Sequence, residues 1–205
     1  MASQLVLEGE AAAAVGHEGG HLLILGAPGT GKTTVLEHRY LKLACSPGLG
    51  PHRVLFLCNQ RRYASEARDR LIWQLPHEAT VEAPVHTWHS LAYHLVSRYY
   101  PRLGFSEPPV LLTGPEQWGV VRMLLGEENP SDWGAWGNRL EERGFVDEVA
   151  DFCLRVHQDP DGPGEIDGLV AGRPQWARLP SFYRKYLEFL VSESRVDYPG
   201  LVASA

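Results

Sequence analysis

The chain has 205 residues, a formal net charge of −6, 44% hydrophobic and 21% charged residues. That is enough chain for one or two domains with real cores. The acidic balance excludes a whole-surface electrostatic grip on nucleic acid, so any such contact must be local. Cys45, Cys58 and Cys153 are far apart and form no CxxC pair. They exclude a zinc framework and a disulfide scaffold, and buried reduced thiols are expected.

The opening MASQLVLEGEAAAAV lacks a basic region ahead of an apolar core, so it does not read as a signal peptide. No apolar run approaches the roughly 20 residues needed to span a membrane. A cytoplasmic protein without membrane contact is expected.

LEGEAAAAV (Leu7–Val15) favours helix, and Gly16, Gly19 and Gly20 end it. HLLIL (His21–Leu25) reads as a short buried parallel strand. Thr33–Leu43 has Val35, Leu36, Tyr40 and Leu43 near helical spacing, and SPGLGP (Ser46–Pro51) is a turn. RVLFLC (Arg53–Cys58) is a second strand and RRYASEARDRLIWQL (Arg61–Leu75) a helix. A short third strand is expected near Thr80–Val85, then a helix over His89–Tyr100. Strands alternating with helices predict an α/β domain on a parallel sheet.

From Pro101 to about Pro180 the chain turns rich in Gly, Pro and Trp. Helices are expected at Pro115–Leu125, Asp132–Arg143, Phe145–His157 and Ser181–Glu193, with QDPDGPGEIDG as a loop before the last. Trp118, Trp133, Trp136 and Trp176 are expected in the core of this helical region. VDYPGLVASA starts one more helix, with Asp197 as its cap.

Gly26-Ala27-Pro28-Gly29-Thr30-Gly31-Lys32-Thr33 matches GxxxxGK[ST] in full, between an apolar run and a helix. The glycines let the backbone turn tightly and aim successive N–H groups at phosphate oxygens. The helix start adds its positive dipole end. Lys32 reaches the β- and γ-phosphates and the Thr33 hydroxyl ligates Mg²⁺, so these two are the catalytic candidates. Thr34 completes the nucleotide-binding stretch, and ATP with Mg²⁺ is the expected ligand.

A working hydrolase also needs a second metal carboxylate at the end of an apolar strand. FVDEV (Phe145–Val149) is the one superficial candidate. GFVDEVADFCLRV has helical periodicity, so Asp147 and Glu148 are expected on a solvated helix face. The chain is expected to stop before that strand.

Two further stretches resemble a known family. HTWHSLAYHLV (His86–Val96) resembles the T-[FW]-HS-x-[AS] segment of UvrD/Rep-type superfamily 1 DNA helicases. LFLCNQRRYASEARDRL (Leu55–Leu71) resembles that family's strand, polar turn and Arg-rich helix, and its Arg-Arg-x-Ala form looks most like the actinobacterial AdnB-like branch. SFYRKYLEFL followed by VDYPGLV resembles the segment that precedes the family's Asp-Glu strand.

The resemblance implies the N-terminal portion of an ATP-dependent 3′-to-5′ DNA helicase or translocase acting in repair or recombination. It implies a RecA-like P-loop NTPase sheet over residues 1–100, a helical accessory insertion over 101–185, and a return to the RecA-like domain over 186–205. Thr87, Trp88, His89 and Ser90 would then lie at a single-stranded DNA track, with Trp88 suited to base stacking. Arg61 and Arg62 would lie near the strand backbone, and Arg39 near the nucleotide base. Duplex DNA and a helicase–nuclease partner subunit are further implied partners.

Several of these positions have plainer readings. Arg68 and Arg70, with Glu66 and Asp69, read as a solvated helix face. His86 and His89 lack a third metal ligand. One departure from the family stands out: Ala11 occupies the place of a Gln that reads adenine, and Gln4 is a distant substitute. An alanine cannot make that bidentate contact. A small P-loop kinase or switch, and a helicase-like scaffold subunit without activity, stay open as alternatives. This portion by itself is expected to hydrolyse nucleotide poorly.

Overall fold

Short parallel strand pairs flanked by many helices build the protein. Its computed structural model describes residues 7–75, 84–159 and 161–205, the side chain of residue 163 excepted. The chain divides into two units, one ending at Trp88 and the other running from His89 to Ala205.

The first unit contains α1 (Gly9–Gly16), α2 (Lys32–Ala44), β1 (Phe56–Cys58), α3 (Arg61–Gln74) and β2 (Val85–Thr87). β1 and β2 run parallel, with Phe56 opposite Val85 and Cys58 opposite Thr87. β2 begins later than the expected Thr80–Val85, of which residues 80–83 lie outside the described residues, as does Gln4. On α3, Ala64, Ala67 and Leu71 recur at helical spacing and are buried against Phe56, Cys58 and Val85. The two alanines let α3 lie close to the strands. Tyr40 of α2 meets Phe56 edge-on at 6.0 Å, closing the core from the other side.

Three expectations fail in this unit. His21–Leu25 is not a buried strand: it is unpaired, and Leu23 and Leu25 are 80% and 81% exposed. An apolar run becomes a central parallel strand only with neighbours on its edges, and among the described residues none lies there. Nor are Arg68 and Arg70 a simple solvated face. Arg68 donates to the Val85 carbonyl and ties α3 to β2. Arg70 donates to Glu37 of α2 at 2.6 Å. Cys45 is exposed rather than buried, while Cys58 and Cys153 are buried, and all three are free thiols.

α4 (Trp88–Tyr99) starts at the division and leads into the second unit. There follow β3 (Val110–Leu111), α5 (Gly114–Gly126), α6 (Arg143–Gln158), α7 (Gly162–Leu169), α8 (Leu179–Ser192), β4 (Arg195–Val196) and α9 (Tyr198–Ala203). β3 pairs in parallel with β4, so residues 110–111 meet 195–196 across the helical stretch.

Val121, Leu125, Val146, Val149, Cys153, Phe182 and Tyr186 make the core of the helical stretch. Trp133 packs edge-on against Phe145 and Phe182, and Trp136 stacks on Trp176 at 5.1 Å, as expected of core tryptophans. Asp147 and Glu148 are exposed on α6, and Asp147 accepts a 2.7 Å bond from the Trp118 indole.

The expected helix over Asp132–Arg143 is instead a 3₁₀ stretch, Pro130–Arg139, broken at Gly134. Gly134 takes φ 51°, ψ −119°, which interrupts any regular ladder. The expected loop at 158–168 holds α7. Its Gly and Pro content disfavours helix, but Ile166 is buried in the core, and that packing overrides propensity.

Gly137 explains the tight 3₁₀ turn. A Cβ there would lie 2.2 Å from the Pro130 carbonyl oxygen, a backbone atom that cannot swing aside. Gly137→Ala should therefore cost about 1–3 kcal/mol and lower the melting temperature by several degrees. An unchanged thermal melt would disprove the constraint.

Candidate nucleotide-binding site

The loop between His21–Leu25 and α2 takes its shape from its glycines. Gly29 and Gly31 sit at φ 81° and 82°, in the left-handed region that side chains rarely adopt. A Cβ on Gly26 would fall 2.5 Å from the Thr30 Oγ1. Thr30 Oγ1 donates to the Ala27 carbonyl at 2.8 Å, which braces the turn.

Gly31 is the residue before α2, and no side chain caps that helix start. Its first-turn N–H groups are thus left for an outside acceptor. The Lys32 ammonium folds back over the loop and donates to the carbonyls of Gly26 and Ala27, each at 2.8 Å. Thr33 is exposed on the first turn of α2, and Thr34 is half-buried. A cation, a hydroxyl and bare helix N–H groups therefore converge on one exposed loop, which fits the donor set of a Mg-nucleotide phosphate site.

The remaining expected residues divide. Arg39 donates to the carbonyls of Ala14, Val15 and His17, at 3.1, 3.4 and 2.7 Å. Its guanidinium satisfies the C-terminal carbonyls of α1, a capping role that the sequence did not announce. Ala11 is half-buried in α1.

At the carboxyl end of β1, Asn59 and Gln60 lead into α3, whose first residues Arg61 and Arg62 are exposed. Arg62 pairs with Glu66 one turn on, at 2.9 Å. At the carboxyl end of β2, Thr87 leads into Trp88, which is 58% exposed. The Trp88 indole N–H donates to Asn59 Oδ1 at 3.3 Å, so the parallel pairing brings Trp88 to the turn that precedes Arg61. The carboxyl ends of parallel strands are where such sheets bind ligands. His89 and Ser90 are the first residues of the second unit, both exposed, and the His89 ring meets Tyr198 edge-on at 5.7 Å.

Glu37 and Tyr63 escaped the sequence reading, which includes Arg70 only as part of a solvated face. Tyr63 on α3 donates its hydroxyl to Glu37 of α2 at 3.1 Å. Arg70 holds the same Glu37 carboxylate and lies over the Tyr63 ring, 5.6 Å from its centroid. Burial is the main force raising the Tyr63 pKa, and the neighbouring Glu37 charge adds to it. The one clue available in sequence was that Glu37 falls one helical turn after Thr33.

A family model of the UvrD/REP helicase N-terminal domain matches residues 7–205. The chain belongs to the UvrD/REP helicase family. Among curated relatives of this UvrD/REP-type chain is the ATP-dependent DNA helicase PcrA of Staphylococcus epidermidis, 24% identical over 183 residues. PcrA of Staphylococcus aureus strain Mu50 is 27% identical over 183 residues. In both cases the match covers 89% of this chain and 24% of the relative, so the chain spans about a quarter of their length. Among the described residues, no helix is long and apolar enough to cross a membrane, and no group of three or more His, Cys, Asp and Glu is placed to hold a metal ion.

Proposed function

We propose that this UvrD/REP-type domain holds the phosphates and Mg²⁺ of ATP for a DNA helicase or translocase. The polarity would be 3′ to 5′ and the setting DNA repair or recombination. The observation that carries this reading is the convergence of Lys32, Thr33 and an uncapped helix start on a loop with two left-handed glycines.

Gly26–Gly31 would wrap the phosphates with backbone N–H groups, Lys32 would neutralise charge on the outer phosphates, and Thr33 would ligate Mg²⁺. The first unit would then be the start of a RecA-like sheet, and residues 101–185 a helical accessory insertion. A helicase–nuclease partner subunit belongs to the AdnB-like reading, which rests on the Arg-Arg-x-Ala pattern of α3. Titration with Mg·ATP, followed calorimetrically, should give saturable binding. A flat titration at millimolar nucleotide would end the reading.

Arg61, Arg62, Thr87 and Trp88 would serve a single-stranded DNA track at the carboxyl ends of β1 and β2, with His89 and Ser90 following them in the chain. The exposed indole of Trp88 offers a stacking face, and a stacked base is worth about 1–3 kcal/mol. Trp88→Ala should thus weaken single-stranded DNA binding by about 5- to 150-fold in fluorescence anisotropy. Equal affinities for wild type and variant would remove Trp88 from the track.

A further inference from the structure

One stretch of this acidic chain carries no carboxylate. Asp and Glu number 25 in the 205 residues, yet residues 83–106 contain none. Arg98, on the last turn of α4, and Arg102, on the 3₁₀ turn Tyr100–Leu103 that follows, both fall in it. Both are exposed. Their guanidiniums lie over the ring of Tyr99, 6.0 and 5.5 Å from its centroid, and Tyr99 is itself 43% exposed. Neither arginine has an ion pair among the described residues. Arg62, Arg139 and Arg155, by contrast, each pair with a carboxylate about one turn away.

A guanidinium over an aromatic ring uses its flat face there and keeps its N–H donors free in its own plane. The ring also narrows the conformations of a long side chain, so less entropy is lost when a ligand arrives. Two such forks with unspent donors suit phosphodiester oxygens, which take bidentate bonds from arginine. No carboxylate on their own stretch cancels their charge. The helix that ends in this pair begins with residues proposed for the single-stranded DNA track, and Ser90 and Arg98 are about 12 Å apart along its axis.

We propose that Arg98 and Arg102, ordered by Tyr99, grip the phosphate backbone of single-stranded DNA without regard to base sequence. This rests on the DNA reading above and adds a site to it. It also gives a protein of net charge −6 a local grip on a polyanion, where its surface as a whole offers none.

The test is the salt dependence of single-stranded DNA binding, followed by fluorescence anisotropy on this protein. Each phosphate contact to a single strand contributes about 0.7 to the slope of log affinity against log salt. Arg98→Ala and Arg102→Ala should each lower the slope by about that amount and weaken binding about 2- to 10-fold. The loss should be equal on oligothymidine and on mixed sequence, because phosphates are the same in both. Arg98→Lys keeps the charge and should keep the slope. Tyr99→Leu removes the ring and neither charge, so binding should weaken at unchanged slope.

An unchanged slope in both alanine variants overturns the proposal. So does a loss confined to one base sequence, or a loss seen on blunt duplex and absent on the single strand. Failure of the DNA reading looks different: the wild type itself would then bind no single-stranded DNA even at low salt, and the proposal would fall with it.

Discussion

Replacing Lys32 with alanine is expected to weaken Mg·ATP binding about 10- to 100-fold while barely moving the melting temperature. A hydrogen bond to a charged group is worth about 1.5–3 kcal/mol, and a desolvated phosphate contact belongs in that range. The stability side is small because the two carbonyls that Lys32 reaches, on Gly26 and Ala27, are on an exposed loop. Water replaces the ammonium there at little cost. The two measurements together discriminate. A large loss of affinity at constant melting temperature supports a ligand role. Loss of both would mean that Lys32 holds the loop together, and loss of neither would remove it from the site.

The second large effect is expected at Asp197, in the second unit. Its carboxylate is 1% exposed. It caps α9 through the Gly200 N–H at 2.7 Å, accepts from the Tyr186 hydroxyl at 2.8 Å, and lies 3.1 Å from His157 Nδ1. Asp197→Ala strands all three groups and should cost about 3–5 kcal/mol. Urea unfolding at neutral pH checks this.

The pH dependence follows from opposing forces. Burial raises the Asp197 pKa, but the His157 bond and charge, the Gly200 N–H and the Tyr186 hydroxyl outweigh it and leave it below the ordinary carboxylate value. Cys153 and Tyr183, which also face it, have their own pKa values pushed up by burial first and then by its charge. A depressed carboxylate stabilises the fold fully above its unfolded pKa of about 3.9 and loses that contribution as pH falls through the folded value. The stability gap between wild type and Asp197→Asn should therefore be full at pH 6 and shrink below about pH 4. A gap constant down to pH 2 would show that the charge is irrelevant.

Much of the helical framework was readable because its signals are local. Asp197 followed by Tyr-Pro-Gly announces a capped helix start, and the cap forms. The spacing of Phe145, Val149, Phe152 and Val156 announces α6, which runs Arg143–Gln158. What depended on distant partners was hidden. His21–Leu25 has the composition of a buried strand, but pairing rather than composition makes a strand. α7 looked like a loop because nothing in Gly162–Leu169 reveals that Ile166 has a core to enter.

The candidate site divides the same way. The Gly26–Thr33 loop follows from glycine geometry within eight consecutive residues. In sequence Arg39 reads only as a residue near the nucleotide base, and its three carbonyl partners, 22 to 25 residues away, were hidden there. Tyr63 looked like an ordinary aromatic of α3 until the fold set its hydroxyl against Glu37.

The bare leucines of His21–Leu25 also bear on how this protein behaves in a tube. Leu23 and Leu25 are turned to water outside any strand pair, and exposed apolar side chains of this kind invite contact with another copy. The lead-in to the phosphate loop is thus a sticky part of the first unit. A charged residue grafted at Leu23 would be the gatekeeper that blunts it.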